Sequence, residues 1–391
     1  MQSCLGTYAG YVALLFLTVK HLHSSWAVMA VLLCEFLPAI ALGSWFGLLA
    51  DRHSRRALIV TANLVQAAAW GGLVFSDTAA PILGLALLAG VGNAMQRPAL
   101  RSALPIVAGP DSQLAAALYD ASRWAGITLG PAIAAGLLAL LSGVMLPLAL
   151  NAASFLIAAA VMATVAIPSA PPAEPGTATA RRGVRAGLAE AFAQPGIGAV
   201  IACSAGAIIA GGLLNVSEPL LATQVLHGSG SDYALLVASY GAGMVLASAL
   251  VLRGGAVSAR TLIHRYLAGQ ALTAIGMAGS AIVGTVMLAA ITFAGTGYAN
   301  SLLLVSETQL IQTRVPNAVQ GRLFGVKDSV EGVCFLVGLT GAGALVAASG
   351  VRVTLATGAA ICGACAVAAL LALRGRAAES ASTQSWARRP T

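Results

Sequence analysis

Long apolar stretches alternate with short polar segments along almost the whole chain. A helix needs about 20 apolar residues to cross the ~30 Å hydrocarbon core of a bilayer, and these stretches are at least that long. Membrane barrel strands would instead alternate polar and apolar positions over about ten residues. The pattern therefore predicts an all-α membrane protein with twelve transmembrane helices.

The predicted helices fall into two sets of six. The first six lie near residues 3–22, 26–50, 57–76, 80–104, 113–141 and 143–167. The second six lie near residues 196–226, 231–252, 262–283, 285–312, 321–348 and 351–373. This predicts an N-terminal six-helix half (1–167), a cytoplasmic linker (168–195), a C-terminal six-helix half (196–374) and a cytoplasmic tail (375–391).

Composition and charge agree with this assignment and add an orientation. Hydrophobic residues make up 58% of the chain, charged residues make up 9%, and the mean hydropathy is +0.87. Arginines are concentrated in alternate loops and in the tail, whereas the opposite loops hold little beyond Lys20 and Arg352. The positive-inside rule then predicts a multi-pass protein of the inner (cytoplasmic) membrane with both termini cytoplasmic. The net charge of +8 follows from this bias, so we expect no nucleic-acid partner.

Three glutamates stand alone inside predicted helices: Glu35, Glu218 and Glu307. A charge at the bilayer centre costs about 2.5–3.5 kcal/mol on insertion scales, so such acids usually face a cavity or a partner. We interpret them as candidate proton carriers and favour Glu35, which lies deepest. Glu218 alternatively meets water near the outer mouth, and Glu307 alternatively lies within reach of Arg314.

Other intramembrane charges are spaced for local pairing. Asp120 and Arg123 are three residues apart, and Lys327 and Glu331 are four apart with Asp328 beside them. Residues at these spacings are neighbours on a helix surface. We therefore interpret these residues as structural or gating charges rather than as proton carriers.

A weak internal similarity links the two halves. YDASRWAGITLGP resembles KDSVEGVCFLVGL when Gly130 is set against Gly338. Halves related by an axis along the membrane normal are typical of transporters. Chance similarity between apolar helices is the alternative.

Two motifs resemble patterns of the major facilitator superfamily. GLLADRHSRR resembles the loop pattern G-x-L-A-D-R-x-G-R-[RK], and GITLGPAIAAG resembles the pattern G-x-x-x-G-P-x-x-x-G of its exporters. QRPALRSALPIVAG and QTRVPNAVQGRLFGV resemble the subgroup of macrolide-efflux proteins and the enterobactin exporter. The matched positions are Gly47, Asp51, Arg52, Arg55 and Arg56 in the loop, and Gly126, Gly130, Pro131 and Gly136 in helix 5.

The resemblance implies a role for each motif. Loop contacts would stabilise the outward-open state, with Asp51 facing the start of helix 11, where free N–H groups favour an acid, and with the arginines binding lipid phosphate or bridging the halves. The helix 5 glycines would pack at the interface between halves, as in antiporters. The alternatives are charges that only set topology, and generic helix packing.

The sequence also gives information on the energy source for transport and on cofactors. A phosphate-binding loop needs Gly-Lys-[Ser/Thr], and both lysines, Lys20 and Lys327, follow a valine. We therefore expect no nucleotide, metal or other cofactor. The chain is predicted to be a proton-coupled exporter of small apolar or amphipathic molecules such as drugs, macrolides or siderophores, acting as a monomer among membrane lipids rather than as an enzyme. A lysophospholipid or lipid carrier, and a non-transporting receptor or scaffold, are the alternatives.

Overall fold

The computed structural model describes residues 2–111, 143–165, 167, 197–253, 257–315 and 317–387, together with separate positions between 115 and 138. All secondary structure within this part of the chain is helical, which confirms the predicted all-α fold. The long helices are α1 (Gln2–Leu22), α2 (Ser25–Arg52), α3 (Arg55–Leu73), α4 (Ala79–Ala108), α5 (Met145–Thr164), α6 (Ile197–Leu220), α7 (Gly230–Arg253), α8 (Ala259–Ile282), α9 (Val286–Arg314) and α10 (Asn317–Ala387).

The helix α10 consists of two helices joined at Gly350. Gly350 has φ 85° and ψ 169°, a conformation that glycine adopts without steric cost. The break lies between the predicted helices 321–348 and 351–373. The helical backbone continues to Ala387, into the predicted tail, and no proline interrupts the sequence there before Pro390.

Eight stretches of the described residues are long and apolar enough to cross a membrane. One of them, Val330–Leu371, includes both helices on either side of Gly350. The helices α3 and α8 are not among these stretches, and both carry polar residues. Several of these polar residues are buried: Asn63 and Gln66 of α3 hydrogen-bond Gln96 of α4 at 3.1 Å and 2.9 Å.

The packing of the helices repeats in the two halves. In the first half α4 packs against α2 and α3, and α3 packs against α5. In the second half α9 packs against α7 and α8 in the same way, and α8 packs against α10. The repeated packing agrees with the internal similarity seen in the sequence.

Glycines at matching places allow the repeated contacts. A Cβ on Gly90 of α4 would meet the backbone oxygen of Cys34 on α2, and a Cβ on Gly297 of α9 would meet that of Tyr240 on α7. Likewise, Gly130 lies against α1 at Leu5 and Tyr8, and Gly338 lies against α6 at Ile209 and Gly212. Gly130 and Gly338, set against each other in the sequence, therefore contact the first helix of their own halves.

The halves contact each other where α1 ends and α2 begins. Ser25 Oγ of α2 donates to the backbone oxygen of Gly343 of α10 at 3.3 Å. Deeper along the same pair of helices, the rings of Phe36 and Phe335 meet edge to face at a centroid distance of 5.0 Å. In the predicted topology this is the outer end of the bundle.

Candidate functional site

A cavity of about 280 Å³ lies among α1, α6, α7, α8, α9 and α10. Its volume is close to the lower end of the ~300–1,000 Å³ typical of small-molecule sites. Its walls include four tyrosines and three glutamates, among them Tyr11, Tyr240, Glu218, Glu307 and Glu331. Polar groups converging in an otherwise apolar cavity make it the candidate substrate site.

Glu307 of α9 is part of a buried charge network. Its side chain is 1% exposed, and Lys327 Nζ of α10 lies 3.6 Å from Glu307 Oε2. Lys327 Nζ also lies 2.7 Å from Glu331 Oε1, one helical turn further along α10. The prediction of Glu307 as an unaccompanied acid was therefore wrong, because its partner lies on a different helix.

A chain of hydroxyl groups extends from Glu307. Ser204 Oγ of α6 donates to Glu307 Oε1 at 2.6 Å and lies 3.2 Å from the hydroxyl of Tyr266 of α8. The Tyr266 hydroxyl donates to the backbone oxygen of Val200 at 3.0 Å. Sequence reasoning missed Ser204 and Tyr266, because hydroxyl residues are common in membrane helices and their spacing does not indicate a shared partner.

Glu218 of α6 lies in another part of the same cavity. Its Oε1 atom is buried and has no hydrogen-bond partner among the described residues. Tyr11, Tyr233 and Tyr240 all lie within electrostatic range of its carboxyl group. Glu218 therefore shares this cavity wall with the three tyrosines.

Glu35 lies outside the described cavity wall. It is 9% exposed on α2, beside the close contact with Gly90 of α4. Its Oε1 atom and the nearby Tyr11 hydroxyl are both buried and have no hydrogen-bond partner among the described residues. Glu35 and Glu218 therefore each have a buried carboxylate oxygen without a described partner, and Glu35 is separate from the charge network around Glu307.

The segment after α2 connects helices within the first half. Ser54, where the family pattern has glycine, caps α3 by accepting a hydrogen bond from the Ala57 N–H at 3.3 Å. Arg55 donates to Ser102 Oγ of α4 at 3.0 Å, and Arg56 donates to the backbone oxygen of Ala163 of α5. These contacts bind α3 to α4 and α5. Gly47 lies within α2, where a Cβ would meet no atom within 4 Å.

Several predicted site residues lie outside the described part of the chain. They are Asp120, Arg123 and Pro131, together with the side chains of Asp51, Arg52 and Asp328. Of the helix 5 glycines, Gly126 is buried and Gly136 is exposed. The close contact of Gly130 is with α1 of its own half.

Family membership follows from a match along most of the chain. Residues 2–327 match the family model of the Major Facilitator Superfamily. The chain belongs to this superfamily. The transporter is 26% identical over 364 residues to an uncharacterized MFS-type transporter, YfiS, of Bacillus subtilis (strain 168), and the match covers 88% of this chain and 84% of that protein.

Solved structures support the same fold. A bacterial homologue of the human lysosomal transporter Spinster, in an inward-facing and unoccupied conformation, matches with a TM-score of 0.70 at 15% identity over 95% of this chain and 96% of that one. The nucleoside transporter NupG matches with a TM-score of 0.69 at 16% identity over 95% and 96%. The transporter is therefore a multi-pass membrane protein of a small-molecule transport family, not an enzyme family.

Among the residues with described positions, no group of three or more His, Cys, Asp or Glu side chains is arranged to hold a metal ion. Cys362 and Cys365 lie on α10, and the Cys203 thiol of α6 donates to the Cys365 backbone oxygen at 3.1 Å. These cysteines pack α6 against α10.

Proposed function

We propose that this protein is a proton-coupled exporter of small amphipathic molecules and that Glu307 carries the proton. The observation that supports this most directly is that Glu307 and Glu331, which both line the cavity, share the buried Lys327 behind the wall. Glu307 contacts both a cation, Lys327, and a chain of hydroxyl groups that begins at Ser204. We therefore prefer Glu307 to Glu35 as the proton site.

Charge balance leaves room for one proton in this network. Two carboxylates and one ammonium carry a net charge of −1 when all three are ionised. Uncompensated charge inside a membrane protein is costly, whereas a paired charge is tolerated. Lys327 is closer to Glu331 than to Glu307, at 2.7 Å against 3.6 Å. Protonation of Glu307 therefore leaves a neutral network in which Lys327 and Glu331 remain paired.

Ser204 can satisfy both protonation states of Glu307. A hydroxyl group has one donor and two acceptor positions. When Glu307 is ionised, Ser204 donates to it, as in the structure. When Glu307 is protonated, it can donate to Ser204 Oγ, and Ser204 can turn its own hydrogen to the Tyr266 hydroxyl 3.2 Å away. Proton exchange at Glu307 then leaves neither the Ser204 nor the Tyr266 hydroxyl without a hydrogen-bond partner.

The contacts between the halves support alternating access. The described contacts of α2 with α10 close the end of the bundle that topology assigns to the outside. We assign this arrangement to the inward-facing state. Two conformations that differ by a few kcal/mol can be exchanged when such contacts break and re-form on the other side.

Export is proposed from the helix 5 pattern and from the resemblance to macrolide-efflux proteins and the enterobactin exporter. The gradient supplies enough energy: one charge moving through ~100 mV yields about 2.3 kcal/mol, close to fortyfold in concentration. Macrolides, siderophores and fluorescent cations are therefore the first substrates to test.

The test is accumulation of this panel in energised inside-out vesicles that contain the protein, with and without a protonophore. We expect at least one compound to accumulate and the protonophore to abolish its accumulation. Vesicles with the exposed-loop variant Asp77→Asn should match the wild type. Accumulation that persists with the protonophore present, or no accumulation of any compound, would contradict proton-coupled export.

A further inference from the structure

The part of the cavity around Glu218 is chemically distinct from the network around Glu307. The carboxylates of Glu307 and Glu331 share Lys327 between them. The Glu218 Oε1 atom has no hydrogen-bond partner among the described residues. The described lining residues of the cavity include no lysine, arginine or histidine. Of the three glutamates in the cavity wall, Glu218 is therefore the one for which the described residues provide no cation contact.

Tyrosines from both halves of the molecule line the same cavity as Glu218. Tyr11 comes from α1, and Tyr233 and Tyr240 come from α7. The Tyr240 hydroxyl accepts a hydrogen bond from Asn300 Nδ2 of α9, which fixes the position of its ring. The faces of aromatic rings attract cations, and this attraction is stronger where water is excluded.

The backbone of α6 is irregular at Glu218. Pro219 has no N–H, so it cannot donate the helical hydrogen bond to the carbonyl of Asn215, which also lines the cavity. Residues Leu221–Val225 then form a π-helical turn, a feature that is frequent at functional sites. The helix that carries Glu218 is therefore irregular directly after this residue.

We propose that Glu218, together with Tyr11, Tyr233 and Tyr240, binds the cationic group of an amphipathic substrate. The substrate class is then an organic monocation with an aromatic or apolar body, such as a quaternary or protonated amine. This inference rests on the proposed function for its physiological meaning, but the binding site is argued from cavity chemistry alone. Anionic compounds, including siderophores with free carboxylates, would meet like charge from Glu218 and bind poorly.

The test compares two ligands that differ by one charge. The fluorescent cation dimethylaminostyryl-methylpyridinium brightens when it enters an apolar site, and its parent dimethylaminostyryl-pyridine has nearly the same shape but is uncharged in mildly alkaline buffer. Both are titrated into purified full-length protein in nanodiscs without any proton gradient, and empty nanodiscs give the background. We expect saturable binding of the cation that is about tenfold tighter than binding of the neutral parent.

Variants of Glu218 and Tyr240 test whether these side chains cause the tighter binding of the cation. Glu218→Gln should weaken cation binding about tenfold and leave binding of the neutral parent within about twofold. Tyr240→Phe should keep cation binding because it keeps the ring, whereas Tyr240→Leu should weaken it. Asp77→Asn removes an acid from an exposed loop and serves as the matched control. Each variant is compared only when it elutes as a single folded species.

The outcomes separate this proposal from proton-coupled export. Equal binding of the two ligands, or cation binding that Glu218→Gln leaves unchanged, overturns the cation site. If the cation site fails in this way while uncharged compounds show protonophore-sensitive accumulation, the cation site is rejected and proton-coupled export is retained. If cation binding depends on Glu218 but no compound shows protonophore-sensitive accumulation in vesicles, the cation site is retained and proton-coupled export is rejected.

Discussion

At the scale of single residues, Glu307 and Ser204 form the centre of the proposed mechanism. Ser204 donates to Glu307 at 2.6 Å and lies next to Tyr266, so it can follow the proton on Glu307 without breaking the chain of hydroxyl groups. If the Ser204 side chain only filled space, transport would not require its hydroxyl group.

Replacing Ser204 tests this role. Ser204→Ala leaves the charged form of Glu307 without its hydrogen bond, at a cost of about 1–3 kcal/mol. We expect gradient-driven accumulation to fall about tenfold, while substrate exchange without a gradient stays within about twofold, and Ser204→Thr should restore accumulation. Ser217→Ala is the matched control because Ser217 is also buried on α6 and its hydroxyl has no described hydrogen-bond partner. Equal losses of exchange and accumulation would indicate a structural role for Ser204.

The sequence predicted the candidate acids but not their partners. Glu218, Glu307 and Glu35 were recognisable because an acid in an apolar stretch is unusual. Local spacing also predicted that Lys327 and Glu331 would be neighbours on one helix. The contact between Glu307 and Lys327 joins two helices, and hydrophobic periodicity does not report how neighbouring helices are rotated about their axes. The tyrosines around Glu218 were missed for the same reason.

At the scale of helices, glycines determine how closely α7 and α9 approach. A Cβ on Gly297 of α9 would meet the backbone oxygen of Tyr240, whereas a Cβ on Gly295, two residues earlier, would meet nothing within 4 Å. The two positions lie on opposite sides of one helix, so they form a matched pair.

Alanine substitutions at these glycines should have opposite effects. Gly297→Ala should destabilise the protein by about 1–3 kcal/mol because the α7 backbone has to move away. Gly295→Ala should be neutral or slightly stabilising, since alanine favours a helix over glycine by about 1 kcal/mol. Thermal unfolding of the purified variants in one detergent measures both. A lower midpoint for Gly295→Ala than for Gly297→Ala would contradict the described packing.

The helix boundaries were predictable where polar residues interrupt the apolar stretches. The predicted helix at 262–283 corresponds to α8 (Ala259–Ile282), and the break at Gly350 falls in the predicted loop. The predicted helix at 196–226 differs more, because Pro219 and the π-helical turn at Leu221–Val225 deform its end. No change in hydropathy marks that deformation, so the apolar pattern alone could not predict it.

At the scale of the whole molecule, transport requires the outer contacts between halves to open. Ser25 and Gly343 make such a contact at 3.3 Å between the side-chain oxygen of one and the backbone oxygen of the other. In a variant whose native cysteines are replaced, Ser25→Cys with Gly343→Cys should cross-link on mild oxidation. The cross-link should stop accumulation, and reduction should restore it. Either single cysteine variant is the control, and full transport by cross-linked protein would contradict the assignment of this state.

Orientation in the membrane can be tested independently of transport. We expect a single cysteine at Asp77, in an exposed loop on the predicted outer side, to react with an impermeant maleimide in intact cells. A single cysteine at Ser258, the cap of α8 on the predicted inner side, should react only in inside-out vesicles. The reverse labelling pattern would show that the termini lie on the other side of the membrane.

The most direct test of the central claim is a comparison of wild-type protein with Glu307→Gln in two assays on the same vesicles. One assay measures accumulation driven by a proton gradient, and the other measures exchange of labelled for unlabelled substrate without a gradient. Glutamine keeps the shape of the side chain but cannot carry the proton. We expect Glu307→Gln to lose gradient-driven accumulation and to retain exchange. Gradient-driven accumulation at the wild-type level in this variant would contradict Glu307 as the proton site.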